Sequence, residues 1–356
     1  MKRKNILVTT MCVMTLLVMT LLTACSTEEP DTVANDEGKQ TEFTQAQATL
    51  DENLKADEID KDQCKGEDYG LILSSLSNEF WQTEREGAEA AAKDYGVNLD
   101  VQATDNDTDF TGQLDIMDIM VTKNYKAIAV SPLSETNLVN GIANANKKGT
   151  KVILSGTLQN EDAMKSANAK VDGVMEMDFY KQGVMAGEFA AEKCNNKGKV
   201  AIIAGTEGAT QSDGRRDGAK EVFEKAGMDV VAVQQCDFDS QKAYDATKQI
   251  MQANPEIVAI TCGNDDMAMG VVKALQELDK KDQVTVVGND FTTQAKEAIK
   301  DGSLDASVAM SPYLGGRAAM ITMIRAAQGK EIGTVSSYVP MLLVSKDNVK
   351  DMEDWR

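Results

Sequence analysis

The chain has 356 residues, which is enough for two domains of ordinary size, and 42% of them are hydrophobic, so that it can bury substantial cores. Its formal net charge of −20 argues against binding to nucleic acid or to anionic lipid headgroups, because their phosphates repel an acidic protein. The sequence contains no histidine, which excludes Ser-His-Asp and Cys-His nucleophile systems and His-ligated zinc and disfavours an enzyme.

Residues 1–24 have the pattern of an export signal. Basic residues at positions 2–4 precede a mostly apolar stretch over residues 6–22, and small residues follow it. The stretch is shorter than the ~20 residues that span a bilayer comfortably. It ends in Leu-Thr-Ala-Cys, which resembles the lipobox of bacterial lipoproteins. This resemblance implies that Cys25 becomes the lipidated first residue of a protein anchored to the cell membrane, on its extracellular or periplasmic side.

Residues 25–67 are polar and acidic and contain few aromatic or branched side chains. Such a composition is typical of disordered segments, so we expect a flexible tether that holds the folded body away from the membrane. Phe43, Leu50 and Leu54 fall at helical spacing. The alternative is therefore a short helix within residues 43–59 that docks on the body.

From Tyr69 onward, short apolar runs alternate with helical patterns, which is typical of βαβ units around a parallel sheet. A first set of predicted strands comprises Tyr69–Ser74, Val97–Ala103, Lys126–Ser131 and Lys151–Ser155. A second set comprises Lys199–Ala204, Asp229–Gln235, Glu256–Cys262 and Val284–Gly288. Because the strands of both sets recur at similar intervals, the sequence predicts an α/β fold with two similar lobes, each a doubly wound parallel sheet.

Ligand-binding groups are expected in the segments that follow these strands. Open parallel sheets bind ligands beyond the carboxyl ends of their strands, and two facing lobes would share one site there. The segments carry three aromatic residues (Phe80, Trp81 and Phe238) as well as amide and carboxylate side chains. Aromatic rings cover the apolar C–H faces of a sugar, and amides and carboxylates bind its hydroxyl groups. For each aromatic residue taken alone, ordinary core packing is the alternative interpretation.

A family resemblance extends over the body from about Tyr69 to Val349. At four segments the sequence is similar to the ribose-type periplasmic sugar-binding proteins, the type I solute-binding proteins of ABC importers. These segments are Ser77-Asn78-Glu79-Phe80-Trp81, Asp237-Phe238-Asp239, Gly263–Gly270 and Val286–Asp290.

The resemblance implies that a hinge joins the two lobes. The chain would cross between the lobes three times, near Glu176, Met310 and Val339. The N-terminal lobe would then comprise residues 68–176 plus 311–338, and the C-terminal lobe residues 177–310 plus 339–356.

Strand ends and resemblance together assign the ligand site to Asn78, Phe80, Trp81, Asp105, Gly156, Thr157, Asp213, Phe238, Asn264, Asp290 and Met310. Relatives of the ribose type carry an Asp-Arg pair in place of Gly156 and Thr157, an arginine in place of Asp213, and a glutamine in place of Met310. Loss of two arginines and gain of a carboxylate predict a site that rejects anions and prefers a small neutral sugar other than ribose, or a polyol. The alternative is an amino-bearing or other non-ribose ligand, such as an autoinducer-2-like furanose.

The implied function is not enzymatic. The protein would bind a solute in the cleft between the lobes, close around it and present it to the permease subunits of an ABC importer. We expect no catalytic residue, no cofactor, no metal and no nucleic acid, and we expect a monomer. A sensory or chemotaxis receptor with the same fold is one alternative, and an enzyme that acts on sugars through carboxylates alone is another. The four cysteines of the body, at positions 64, 194, 236 and 262, have the spacing of neither a zinc module nor a disulfide framework. The sequence does not exclude a single disulfide between two of them.

Overall fold

The computed structural model describes residues 41–336 and 339–356. The expected export signal, the expected lipid attachment at Cys25 and the first part of the expected tether lie outside these residues. None of the helices in the described ranges is both long enough and apolar enough to span a bilayer. The four cysteines of the body are free thiols.

A parallel sheet of six strands forms the first lobe. Its strands are β1 (Asp68–Ser75), β2 (Asn98–Thr104), β3 (Ala127–Val130), β4 (Lys151–Ser155), β5 (Gly173–Glu176) and β11 (Gly333–Ser336). Their order across the sheet is β11-β5-β4-β3-β1-β2, and every neighbouring pair is parallel. The central strand β3 is buried along its whole length, and β1 is buried at every residue after Asp68, as parallel strands covered by helices on both faces must be.

The second lobe repeats this arrangement with one difference. Its strands are β6 (Lys199–Ala204), β7 (Asp229–Gln235), β8 (Ile257–Cys262), β9 (Thr285–Asp290), β10 (Ala306–Ala309) and β12 (Leu342–Ser345). They lie in the order β12-β10-β9-β8-β6-β7, and only β12 runs antiparallel to its neighbour. The prediction of two doubly wound lobes is confirmed, with an antiparallel strand at one edge.

Helices cover both faces of each sheet. In the first lobe they are α3 (Glu79–Tyr95), α4 (Phe110–Val121), α5 (Val139–Lys148), α6 (Glu161–Ser166) and α12 (Pro312–Ala327). In the second they are α7 (Phe179–Lys193), α8 (Thr210–Lys225), α9 (Ser240–Ala253), α10 (Asp265–Glu277) and α11 (Thr293–Asp301). The Asn78 side chain caps the start of α3, and Gly96, with φ +69°, ends it in the left-handed conformation that glycine adopts without strain.

The chain passes between the two sheets three times. It leaves the first sheet after β5, returns to it after β10, and leaves it again between β11 and β12. These passages fall near the three predicted crossover residues, and the strands of each sheet fall inside the ranges predicted for its lobe. The complete lobe boundaries stay a prediction.

The segment before the first sheet is helical and packed, which corrects the expectation of a flexible tether for its described part. It forms α1 (Glu42–Asn53) and α2 (Lys61–Cys64). Phe43 and Leu50 are buried, and the Asp51 carboxylate accepts two hydrogen bonds of 2.7 Å from the guanidinium of Arg317 on α12. The acidic composition was misleading because a narrow apolar stripe and one well-placed ion pair are sufficient to dock a short helix.

Candidate functional site

A cavity lies where the carboxyl ends of both sheets face each other. Its wall comes from both lobes and includes Ser74, Asn78, Phe80, Trp81, Glu84, Asp107, Ser131, Pro132, Ser155, Gly156, Thr157, Met177, Phe179, Gln211, Arg215, Phe238, Asn264 and Asp290. Most of these residues follow a strand, because the carboxyl ends of parallel strands meet at one edge of the sheet.

The structure brings most of the sequence-predicted residues together in this wall. Those that line it are Asn78, Phe80, Trp81, Gly156, Thr157, Phe238, Asn264 and Asp290. Asp105, Asp213 and Met310 do not line it.

Each of the three outlying residues has a local reason for its position. Asp105 is exposed in the loop after β2, and Asp107, two residues later, lines the wall instead. Asp213 points away from the wall to pair with Arg216, at 2.6 Å between Oδ1 and Nη1. Met310 is buried, with its Sδ atom 3.0 Å from Gln182 Nε2.

Arg215 lies in the wall, where Asp213 was expected. The two residues are on the same helix, α8, and two positions along a helix turn a side chain to the opposite side. The predicted inversion of charge by Asp213 therefore has no basis in the structure. Arg215 holds the site together through its hydrogen bonds, and it also contributes to the surface of the cavity.

Arg215 is buried and bound to partners from three parts of the chain. Its Nη2 atom lies 3.1 Å from Asp290 Oδ1, its Nη1 donates to the Gly263 carbonyl at 2.6 Å, and its Nε donates to Gln182 Oε1 at 2.6 Å. Burial raises the pKa of the Asp290 carboxyl to about 7, although the guanidinium opposes the rise. The guanidinium fixes the Asp290 carboxyl at the end of β9, where Asp290 has φ +108° and the backbone is strained.

Aromatic rings enter the cavity from both lobes. The rings of Phe80 and Trp81, at the start of α3, pack edge to face with centroids 4.9 Å apart. Phe238 approaches from the second lobe and packs directly on the backbone of Gly205, where a Cβ atom would lie 2.2 Å from the ring. Phe238 itself has φ +57°, so the turn after β7 holds the ring in place at some cost in backbone strain.

Polar side chains bridge the two lobes around the cavity. Asn78 Nδ2 donates to Asp266 Oδ2 at 3.1 Å, and Thr157 Oγ1 donates to Gln211 Oε1 at 3.0 Å. Farther out, the amide of Thr293 donates to Glu79 Oε1 at 3.0 Å. In this arrangement the lobes are in contact across the cleft.

Two carboxyl groups in the wall carry an oxygen that has no hydrogen-bond partner within the described part of the chain. They are Glu84 Oε1 and Asp107 Oδ1. Burial raises the pKa of Glu84 to about 8 and that of Asp107 to about 6; the Asp266 carboxylate adds to the second shift and the Trp81 indole opposes it. Glu84 was not predicted from the sequence, because it lies inside a helix and not directly after a strand.

Comparison with protein families matches residues 69–331 to the periplasmic binding protein domain. Among curated proteins, the D-allose-binding periplasmic protein of Escherichia coli K12 is 36% identical over 267 residues, which cover 74% of this chain and 86% of that protein. The ribose import binding protein of Haemophilus influenzae is 29% identical over 262 residues, with 74% and 86% coverage.

Solved structures show the same similarity. A periplasmic solute-binding protein of an ABC transporter from Actinobacillus succinogenes, with bound D-allose, superimposes with a TM-score of 0.76 at 27% identity and covers 80% of this chain and 99% of its own. A solute-binding protein from Bacillus halodurans with bound myo-inositol has a TM-score of 0.73 at 26% identity and covers 82% and 98%.

Proposed function

The chain belongs to the periplasmic binding protein family, and from this membership we propose that it is the lipid-anchored substrate-binding protein of an ABC importer. It binds a small neutral sugar or polyol in the cavity between its lobes and presents it to a membrane permease. The chemistry of transport requires no bond to be made or broken, so the ligand leaves the protein unchanged.

The placement of aromatic rings on opposite sides of one polar cavity carries this proposal. Phe80 and Trp81 come from the first lobe and Phe238 from the second. A ring that enters between them presents its C–H faces to the aromatic side chains and its hydroxyl groups to polar residues such as Asn264 and Asp290. The relatives described above support the ligand class. Two of them are named for the uncharged sugars D-allose and ribose, and the two solved structures contain bound D-allose and the polyol myo-inositol.

Closure of the lobes follows from the same geometry. A ligand that touches both lobes binds more tightly when they are close together, so it shifts the population toward the closed form. The bridges from Asn78 to Asp266 and from Thr157 to Gln211 stabilise that form at the edge of the cavity. A permease that recognises the closed arrangement would then select the loaded protein.

The lipid anchor belongs to the proposal as well. Cys25 follows an export signal and carries the lipid that keeps the protein at the membrane. Replacement of Cys25 by Ala should abolish incorporation of labelled palmitate and release the protein from the membrane fraction. Palmitate incorporation that persists in C25A would contradict the anchor without affecting the binding function.

Calorimetry and thermal unfolding of the purified protein test the binding function. D-allose, D-ribose, myo-inositol and, as an anion, D-glucuronate form the ligand panel. A true ligand at about 100 times its Kd should add roughly 2.7 kcal/mol to the free energy of unfolding. F238A should weaken binding about tenfold or more through loss of ring contacts.

Phe110 provides the matched control for this experiment. It is an exposed phenylalanine on α4, away from the cavity wall, so F110A should bind like the wild type. If no sugar or polyol raises the unfolding temperature, or if only glucuronate does, the proposed function is wrong. Recovery of a chemically altered sugar after long incubation would point instead to an enzyme.

A further inference from the structure

Glu84 is the group in the cavity wall whose presence the proposed function does not explain. It lies one helical turn after Phe80 on α3 and is 3% exposed. Side chains on a helix lean toward its N-terminus, so the carboxyl extends under Phe80 into the wall of the cavity. Its Oε1 atom has no hydrogen-bond partner among residues 41–336 and 339–356.

The neighbouring helix gives Glu84 a fixed position but no polar contact. On α12, a Cβ atom at Gly316 would lie 1.8 Å from the Glu84 carbonyl oxygen, so the backbones of α3 and α12 touch at this point. Next to it, a Cβ at Gly315 would lie 3.8 Å from the Glu84 carboxyl carbon. Close backbone packing prevents α3 from turning the carboxyl toward solvent, so the side chain is held in place before any ligand arrives.

No charged group in the wall is available to satisfy this carboxyl. The titratable and charged groups there are Asp107 in the loop after β2, Asp290 at the end of β9 and Arg215 on α8. Arg215 is already bound by Asp290, Gln182 and the Gly263 carbonyl. An unsatisfied buried polar group costs stability, and the arrangement is explained if a ligand supplies the missing partner.

We propose that Glu84 contacts the ligand and determines specificity: its carboxyl forms a hydrogen bond with one hydroxyl group of the bound sugar or polyol. This inference rests on the proposed function. A carboxylic acid that keeps its proton offers one donor and one acceptor, which match the acceptor and donor of a hydroxyl group. The pKa of about 8, raised by burial, keeps Glu84 in that neutral form near pH 7. An ammonium group would instead require the ionised carboxylate.

Calorimetric titration of four proteins tests the proposal: wild type, E84L, E84Q and E86L. Glu86 is exposed on the same helix, so E86L is the same substitution at a site that does not line the cavity. E84L should weaken the tightest sugar about tenfold or more, E84Q should fall between E84L and wild type, and E86L should bind like wild type. E84L removes a lone buried carboxyl, so its unliganded form should unfold at or above the wild-type temperature.

Monodeoxy analogues of the tightest sugar separate a direct contact from an indirect one. For one hydroxyl position, removal of the oxygen should weaken binding to wild type about tenfold but leave binding to E84L unchanged. Equal losses in both proteins at every position would overturn the proposal, as would wild-type affinity in E84L. Preference for an amino sugar over its hydroxyl counterpart, lost in both E84Q and E84L, would also overturn it in favour of an ammonium ligand. If the wild type binds no sugar at all, the proposed function itself fails.

Discussion

Removal of Arg215 should destabilise the unliganded protein strongly, in a way that depends on pH. Arg215 and Asp290 are both buried, and the guanidinium also holds Gln182 and the Gly263 carbonyl. R215M keeps most of the aliphatic volume but leaves the Asp290 carboxylate without its cation. Removing one partner of such a buried network typically costs about 3–5 kcal/mol, which we expect for R215M at pH 8. About 1.4 kcal/mol of this is the cost of protonating Asp290 one pH unit above its pKa of about 7, and the rest comes from the lost hydrogen bonds to Gln182 and Gly263.

The pH dependence follows from the Asp290 carboxyl. Its pKa of about 7 in the folded protein lies above the ordinary value of about 3.9 for an unfolded chain. Stability linked to this group is therefore fully present at low pH and is lost as pH rises through the folded pKa. Near pH 5 Asp290 is neutral with or without Arg215, so R215M should cost clearly less there than at pH 8.

Urea unfolding followed by circular dichroism measures these differences. R215M, D290N and the double variant should be compared at both pH values, because the double variant removes both members of the pair. Its cost at pH 8 should be smaller than the sum of the single costs by at least about 1 kcal/mol. A cost for R215M below about 1 kcal/mol at pH 8, or additive single effects, would refute the idea that the pair is an interdependent buried unit.

Two further predictions concern the first lobe. The pKa of Glu84 is about 4.3 in an unfolded chain and is raised to about 8 in the folded protein. The wild type therefore loses stability as pH rises from about 4.3 toward 8. E84L should therefore gain more in unfolding temperature over wild type at pH 8 than at pH 5, and an equal gain at both would contradict the shift. R317M removes the two hydrogen bonds from Arg317 to Asp51, so it should lower the free energy of local unfolding of α1 by about 1.5–3 kcal/mol. Hydrogen exchange should become faster in residues 42–53 and stay unchanged in β4. R85M is the control, because it breaks only an exposed ion pair with Glu89. If α1 in R317M stays as protected from exchange as in the wild type, the ion pair between Arg317 and Asp51 does not dock this helix.

Continuous apolar runs made the main strands visible in the sequence. β4, β6 and β7 have the predicted bounds, and the other five predicted strands differ by only one or two residues. A strand buried on both faces must be apolar at successive positions, which is a local signal. β5, β10 and β11 were not predicted, because each has only four residues and no long unbroken run of apolar residues. β12 was not predicted either, although its residues Leu342, Leu343 and Val344 form an apolar run.

The site shows the same division between local and tertiary information. The loops after the strands were predictable, since topology alone brings Phe80, Phe238 and Asn264 to one edge. Whether Asp213 or Arg215 reaches the cavity depends on how α8 is rotated about its axis, and that rotation is set by packing against α7. The position of Glu84 in the wall depends on how α3 packs against α12, whose backbone it touches at Gly316.

The sequence by itself determined the two-lobed α/β fold and the edge of each sheet at which the ligand site lies. The alternation of apolar runs and helical patterns is a local property of the sequence, so it can be recognised without knowledge of tertiary contacts. Only the tertiary structure decided which carboxyl and guanidinium groups line the cavity and that residues 42–64 pack on the body. The physical reason is that burial and pairing of a charge depend on contacts between residues far apart in sequence, such as Arg215 with Asp290 and Asp51 with Arg317.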